Sequence, residues 1–100
     1  MVDVRRTSVF INWLRDLRDV NAKARIQIRI DRLSRGNPGD VKAVGGGVSE
    51  MRIDYGPGYR IYFVRRGEIY VLLLCGGDKR TQNADITKAA SLAEEWKDGA

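Results

Sequence analysis

Apolar residues recur at a helical spacing near the start of the chain. Positions i, i+3, i+4 and i+7 are apolar, which predicts a first helix over residues 8–19 with Thr7 or Ser8 as its cap. The apolar stripe of this helix consists of Phe10, Trp13, Leu14 and Leu17. One face of the helix is therefore expected to be buried.

The second apolar stretch fits two kinds of secondary structure. Residues 26–30 alternate apolar and polar side chains as a strand does, but a helix over residues 22–35 also places apolar side chains on one face. Asn21 suits a helix cap, and the Gly-Asn-Pro-Gly that follows at 36–39 is typical of a helix end. We therefore favour a helix here.

Three later segments have the patterns of strands. Residues 50–55 alternate, and a Gly-Pro-Gly turn separates them from a second strand over residues 59–64. A tight hairpin at residues 65–68 leads into residues 69–75, which are apolar at almost every position. This pattern predicts that the last strand is the most buried one.

These elements predict an α+β fold in a single domain over residues 1–100. Two N-terminal helices would pack on a twisted, mainly antiparallel sheet of three to four strands, the fourth being a short strand at residues 2–5. A C-terminal helix over residues 85–97 would complete the domain. Its packing face would consist of Ile86, Ala89, Ala93 and Trp96.

The composition limits the chemistry that the chain can perform. It has no histidine, which excludes histidine metal ligands and histidine general bases. The one cysteine, Cys75, lies in an apolar run and is predicted to be inert core. We expect no metal and no cofactor. No apolar run has the length of a membrane span and the N-terminus lacks a secretory signal, so we expect a cytoplasmic protein without membrane contact.

The net charge of +5 indicates a polyanionic partner, and two sequence blocks make that partner more specific. Residues 48–63 read Val-Ser-Glu-Met-Arg-Ile-Asp-Tyr-Gly-Pro-Gly-Tyr-Arg-Ile-Tyr-Phe. Residues 70–86 read Tyr-Val-Leu-Leu-Leu-Cys-Gly-Gly-Asp-Lys-Arg-Thr-Gln-Asn-Ala-Asp-Ile. With both blocks, the chain resembles HigB-like addiction-module killer proteins, a branch of the RelE/ParE toxin superfamily, over nearly its whole length.

The resemblance implies a RelE-like domain that is the toxin of a type II toxin–antitoxin system. Such a toxin is a metal-independent endoribonuclease, an mRNA interferase that cleaves messenger RNA on the ribosome and inhibits translation. The implied partners are the ribosome, messenger RNA and a cognate antitoxin from the same operon, typically a helix-turn-helix protein. The RNA 2′-hydroxyl would be the nucleophile.

The same resemblance implies a set of basic catalytic residues. The family places an arginine at the position of Arg60, on the scissile phosphate, and a basic pair at Lys79 and Arg80. Arg52 on the neighbouring strand is expected on the same face as Arg60. A guanidinium suits bidentate contact with phosphate and keeps its proton, so Arg60 would stabilise charge rather than act as a base.

Two tyrosines beside Arg60 are candidates for stacking on an RNA base. Alternation predicts that Tyr59, Ile61 and Phe63 share one face of the strand and that Arg60 and Tyr62 share the other. Either Tyr59 or Tyr62 is a candidate RNA-binding residue, since base–aromatic stacking contributes about 1–3 kcal/mol per base.

The proton acceptor is left open. Some relatives use a tyrosine a few residues past the basic pair and others use histidine, but residues 82–86 read Gln-Asn-Ala-Asp-Ile. Glu50, Asp54 and Asp78 are the candidate bases in this chain, and the ribosome is another source of the proton path.

The second predicted helix carries a basic stripe formed by Arg25, Arg29 and Arg32. It is interpreted either as a solvated face or as a surface that contacts ribosomal RNA phosphates. Ala24 and Ile28 form a second apolar patch on which the antitoxin is expected.

Two alternative functions remain open for the whole chain. One is a ParE-like toxin that inhibits DNA gyrase and cuts no RNA. The other is a non-toxic nucleic-acid-binding module on the same scaffold. The basic set of Arg60, Lys79 and Arg80 favours the nuclease.

Overall fold

The computed structural model describes residues 2–68 and 70–96 as an α+β fold with three α-helices and five strands. The elements are, in chain order, β1 (Asp3–Arg6), α1 (Ser8–Asp16), α2 (Val20–Ser34), β2 (Val41–Gly45), β3 (Val48–Ile53), β4 (Tyr59–Arg66), β5 (Tyr70–Gly77), a 3₁₀ turn (Lys79–Thr81) and α3 (Gln82–Glu95). None of the helices described is both long and apolar enough to span a membrane.

The five strands form one mixed sheet in the order β1-β5-β4-β3-β2. β1 lies parallel to β5, and the other neighbours are antiparallel. The short strand predicted at residues 2–5 is present as β1, so the chain begins with a strand rather than a helix. The prediction of three to four strands was wrong because β2, an edge strand of only 5 residues whose side chains are all at least partly exposed, has no alternating pattern.

The two N-terminal helices meet at Asp19. Its carboxylate accepts hydrogen bonds from the backbone N–H groups of Asn21 and Ala22, and so caps α2. The cap of α2 was predicted at Asn21, which was wrong. The first helix ends at Asp16 instead of at residue 19, because Leu17 has an extended backbone. The ambiguous stretch at 26–30 is helical, as favoured. Thr7 caps α1 as predicted, by accepting from the N–H of Phe10.

The sheet is covered on both faces. α1 and α2 bury one core against β3, β4 and β5, formed by Phe10, Ile26, Ile30, Leu33, Met51, Ile53, Ile61, Phe63, Val71 and Leu73. α3 covers the other core, formed by Val48, Tyr62, Val64, Tyr70, Leu72, Leu74, Cys75, Ala89 and Ala93. β5 contributes to both cores and is buried from residue 70 to 75, as its apolar run predicted. Cys75 is buried core, also as predicted.

Two glycines at the end of β5 allow helices to approach from both faces. A Cβ atom on Gly76 would collide with the Trp13 ring of α1, and one on Gly77 would collide with the carboxylate of Asp85 in α3. α3 begins at Gln82, one turn before the predicted residue 85, and ends at Glu95. Lys97, the predicted helix end, lies outside the described residues.

Candidate functional site

Three basic side chains line one open cleft at the end of the sheet. Arg52 comes from β3, Arg60 from β4 and Lys79 from the 3₁₀ turn that follows β5. The cleft has a volume of about 400 Å³. Its other lining residues are Asp40, Ile53, Asp54, Gly56, Pro57 and Gly58. Residues far apart in the sequence therefore form one concave, basic surface.

Strand register brings the two arginines together. Arg52 lies directly opposite Arg60 in the antiparallel pair of β3 and β4, so the two side chains leave the same face of the sheet as neighbours. On its other side Arg60 pairs with Gly77, which places the start of the 3₁₀ turn and Lys79 beside it. Gly58 packs against Lys79, because a Cβ atom at position 58 would lie 3.5 Å from the Lys79 Cβ.

The Arg60 guanidinium has an unsatisfied donor, and its charge also acts on the buried Glu50. Among the described residues, the Arg60 Nε atom is buried without a hydrogen-bond partner, and Arg60 forms no ion pair. A buried donor without a partner is costly and uncommon in folded proteins. Arg60 is therefore available to an anion that enters the cleft.

A buried carboxylate lies behind the arginines. Glu50 has no solvent exposure. Its Oε1 accepts a hydrogen bond from Arg52 Nε at 3.1 Å, and its Oε2 accepts from Tyr62 Oη at 3.0 Å and from Gln82 Nε2 at 2.7 Å. From the sequence, Glu50 was only a candidate base. Its contact with Gln82 could not be predicted, because that contact depends on where α3 packs on the sheet.

These contacts keep Glu50 ionised and Tyr62 neutral. Burial alone would raise the Glu50 pKa, but hydrogen bonds from Gln82, Arg52 and Tyr62, with the charge of Arg60, outweigh burial and lower it. Burial, together with the bond to Glu50, raises the pKa of Tyr62 well above its ordinary value. Glu50 thus holds Arg52 in place as a fixed negative charge.

Comparisons with known proteins show the family to which the chain belongs. A family model described as "Phage derived protein Gp49-like (DUF891)" matches residues 12–97. The chain belongs to the Gp49-like family. This is in general a RelE-type, toxin-like family. The chain is also 48% identical over 94 residues to an uncharacterized protein of Haemophilus influenzae, covering 94% of this chain and 95% of the relative.

The two residues of the predicted basic pair, Lys79 and Arg80, have different surroundings in this Gp49-like protein. Lys79 lines the cleft, but Arg80 is not among the lining residues. Arg80 is 81% exposed and pairs with Asp78, Nη2 to Oδ2 at 3.0 Å. The hydrogen bond from Arg80 lowers the pKa of the Asp78 carboxyl. Neither member of that pair faces the cleft.

The tyrosines lie on the faces that alternation predicted, but Tyr62 is not accessible. Tyr62 is fully buried under α3, so its ring is not exposed for the stacking on a base that was predicted. Tyr59 is half-buried on the opposite face, where its ring meets Trp13 edge to face at 6.3 Å between centroids. Burial, with nearby Asp19, raises the pKa of Tyr59.

The basic stripe of α2 contains two kinds of arginine. Arg29 donates to the backbone carbonyls of Arg52 at 2.5 Å and Pro38 at 3.0 Å, so its guanidinium is occupied within the fold. Burial lowers its pKa. The RNA contact predicted for Arg29 stays a prediction, and the structure gives this side chain a role within the fold. Arg25 and Arg32 are exposed, and the Arg25 guanidinium lies 4.5 Å from the centre of the Tyr55 ring.

The three candidate bases have different surroundings. Glu50 is buried and Asp78 is paired with Arg80, whereas Asp54 is exposed and lines the cleft. Asp40 also lines the cleft and was not foreseen, because only the pairing of β2 with β3 brings it there.

The predicted apolar patch of Ala24 and Ile28 is not one surface. Ala24 lines a groove between α1 and α2 together with Ile11, Leu14 and Val20. Ile28 is 49% exposed in a different groove, on the side of α2 that faces β3. The two positions are four residues apart and so lie on one side of α2, one turn from each other, where each lines a different groove.

Proposed function

We propose that this Gp49-like protein is the toxin of a type II toxin–antitoxin system, in the HigB-like branch of the RelE/ParE superfamily. In this proposal it is a metal-independent mRNA interferase that acts on the ribosome. The convergence of Arg52, Arg60 and Lys79 on one cleft, with Arg60 unpaired among the described residues, carries the proposal. Three cations around a concave surface suit a phosphate.

The proposed reaction is transesterification of the RNA backbone. The 2′-hydroxyl attacks the adjacent phosphorus, the bond from phosphorus to the 5′ oxygen of the next nucleotide breaks, and a 2′,3′-cyclic phosphate and a 5′-hydroxyl form. Arg60 and Arg52 stabilise the negative charge that builds up on the phosphorane oxygens. One preorganised donor of this kind contributes about 10²–10³-fold to the rate.

Two residues of the cleft are suited to moving protons. Asp54 accepts the proton from the 2′-hydroxyl, because it is the exposed carboxylate among the three candidate bases. Lys79, the third cation of the cleft, gives a proton to the leaving 5′ oxygen. Glu50 takes no part in proton transfer, since it has no solvent exposure and three hydrogen-bond donors already hold it.

The proposed partners are the ribosome, messenger RNA and a cognate antitoxin. The net charge of +5 supports association with RNA. Membership of a toxin-like family supports a neutralising antitoxin. A short helix-turn-helix reading frame beside the coding sequence would support the pairing.

Induction in cells followed by primer extension on a reporter message tests the proposal. The wild type is expected to arrest growth and to give cuts in register with codons, and Arg60→Ala and Lys79→Ala are expected to lose both effects. Arg65→Ala is the control, because Arg65 is exposed near the far end of β4. Arrest with intact messages and damaged DNA would contradict the proposal in favour of gyrase inhibition.

A further inference from the structure

A second groove lies between α2 and the end of β3. It has a volume of about 220 Å³. Its lining residues are Arg25, Ile28, Arg29, Arg32, Ile53 and Asp54. The groove thus combines exposed cations, which can contact phosphates, with an exposed apolar side chain.

The second groove adjoins the basic cleft at the end of β3. Ile53 and Asp54 line both grooves. The two backbone hydrogen bonds from Arg29, to Arg52 and to Pro38, fix α2 against β3 and the loop before β2. The distance between the two sets of cations is therefore set by the fold.

The charges alternate along this surface. Arg52, Arg60 and Lys79 lie on one side of Asp54, and Arg25 and Arg32 lie on the other. Arg32 forms no ion pair in the part of the chain that the structure describes. Like charges repel, so a phosphate fits at either set of cations but not against Asp54.

The apolar residue of the second groove indicates an unstacked base. Ile28 is 49% exposed between Arg25 and Arg32, which lie two turns apart on the same helix face. A base in a duplex keeps its faces stacked on its neighbours, whereas a base in a single strand has a free face that can lie on a side chain or on an arginine guanidinium. The groove therefore suits one strand.

We infer that the two grooves form one path for a single strand of RNA. The strand places the phosphate to be cut on Arg52, Arg60 and Lys79, crosses Asp54, and continues with neighbouring phosphates on Arg25 and Arg32 and a base against Ile28. This inference rests on the proposed function for the first groove. It assigns Arg25 and Arg32 to the substrate strand rather than to ribosomal RNA.

Binding of single-stranded RNA oligonucleotides tests the path. Fluorescence anisotropy would compare the binding of a trinucleotide and a dodecanucleotide at several salt concentrations. A second pair of oligonucleotides with the same sequences and 2′-deoxy sugars, which cannot be cleaved by attack of a 2′-hydroxyl, shows whether cleavage affects the result. Each phosphate contact on a single strand contributes about 0.7 to the slope of log K against log salt. Arg25→Ala/Arg32→Ala is expected to lower the dodecanucleotide slope by about 1.4 and to remove most of the gain in affinity with length.

The matched control is Arg65→Ala/Lys88→Ala, which removes the same charge from exposed positions outside both grooves. Arg32→Ala alone is expected to lower the slope by about 0.7 and covers the case in which the double variant does not fold. A control variant that lowers the slope equally would overturn the inference, because the effect would be general charge. If Arg25→Ala/Arg32→Ala loses ribosome binding while its oligonucleotide binding is unchanged, the inference is also overturned, because the two arginines would then contact ribosomal RNA.

The same assay separates this inference from the proposed function. An Arg60→Ala variant that weakens binding, beside an unaffected Arg25→Ala/Arg32→Ala variant, would overturn the path and leave the cleft intact. Equal binding by wild type, Arg60→Ala and Arg25→Ala/Arg32→Ala would contradict both. Tighter binding of an acidic peptide than of RNA at the second groove would overturn the path and assign the groove to a protein partner.

Discussion

Glu50 and Arg60 share one face of the sheet and have opposite surroundings. Glu50 is buried with three donors, whereas the Arg60 Nε is buried with no partner among the described residues. Removing a residue that accepts hydrogen bonds from buried groups leaves those groups unsatisfied and costs stability, whereas removing a donor that has no partner carries no such cost. We therefore expect the two substitutions to have unequal effects on stability.

Arg60→Ala is expected to change stability by less than about 0.5 kcal/mol, since it leaves no protein group without a partner. Glu50→Ala is expected to cost roughly 1–3 kcal/mol, because it leaves the donors of Arg52, Tyr62 and Gln82 unsatisfied. Urea unfolding of both variants measures the difference. A large loss of stability in Arg60→Ala would show that Arg60 is structural instead.

The lowered pKa of Glu50 predicts a specific response to acid. A carboxyl with a lowered folded-state pKa stabilises the fold above its ordinary pKa of 4.5, and this contribution is lost as the pH falls through the lowered value. The stability difference between wild type and Glu50→Gln should therefore be constant above about pH 5 and shrink below it. A difference that stays constant down to about pH 3 would contradict the assignment of Glu50 as an ionised group.

At the scale of elements, β5 and its two terminal glycines determine how closely α1 and α3 approach the sheet. Gly76→Ala would place a methyl group in collision with the Trp13 ring, so α1 has to move. Overpacking of this kind costs about 1–3 kcal/mol. We expect a fall in Tm of at least about 4 °C in a thermal melt. An unchanged Tm would show that α1 is packed more loosely than described.

Arg29 and Arg32 of the basic stripe on α2 allow a matched comparison of stability. Arg29→Ala is expected to destabilise the protein by roughly 1–3 kcal/mol, because it removes the hydrogen bonds that fasten α2 to β3 and to the loop before β2. Arg32→Ala, on the same face, is expected to stay within about 0.5 kcal/mol. Urea unfolding of the two variants measures this. Equal stabilities would contradict the anchoring role of Arg29.

Elements with a clear period were predictable from the sequence, and contacts between distant elements were not. The helical stripe of α1, the alternation of β3 and β4 and the facing of Arg52 toward Arg60 follow from local patterns. β2 escaped prediction because its pairing with β3, rather than its own pattern, makes it a strand. The burial of Tyr62 and the bond from Gln82 to Glu50 depend on where α3 docks, which no local pattern encodes.

At the scale of the whole molecule, the residues of the two cores and the residues of the basic cleft lie in different parts of the fold. Two cores on opposite faces of the sheet hold the scaffold, and the basic cleft lies at one end, where β3, β4 and the 3₁₀ turn meet. The proposed role of the excess positive charge is to bring the protein to RNA, while the few cations of the cleft act at the phosphate. Salt should therefore weaken association more than it affects the chemical step.

The most direct measurement is cleavage of a defined message on purified, programmed ribosomes, with analysis of the new RNA ends. The wild type and Arg65→Ala are expected to give a 2′,3′-cyclic phosphate at one codon, and Arg60→Ala is expected to cut about 10²–10³-fold more slowly while it remains folded. An intact message with the wild type, or equal rates for wild type and Arg60→Ala, would contradict the proposed nuclease.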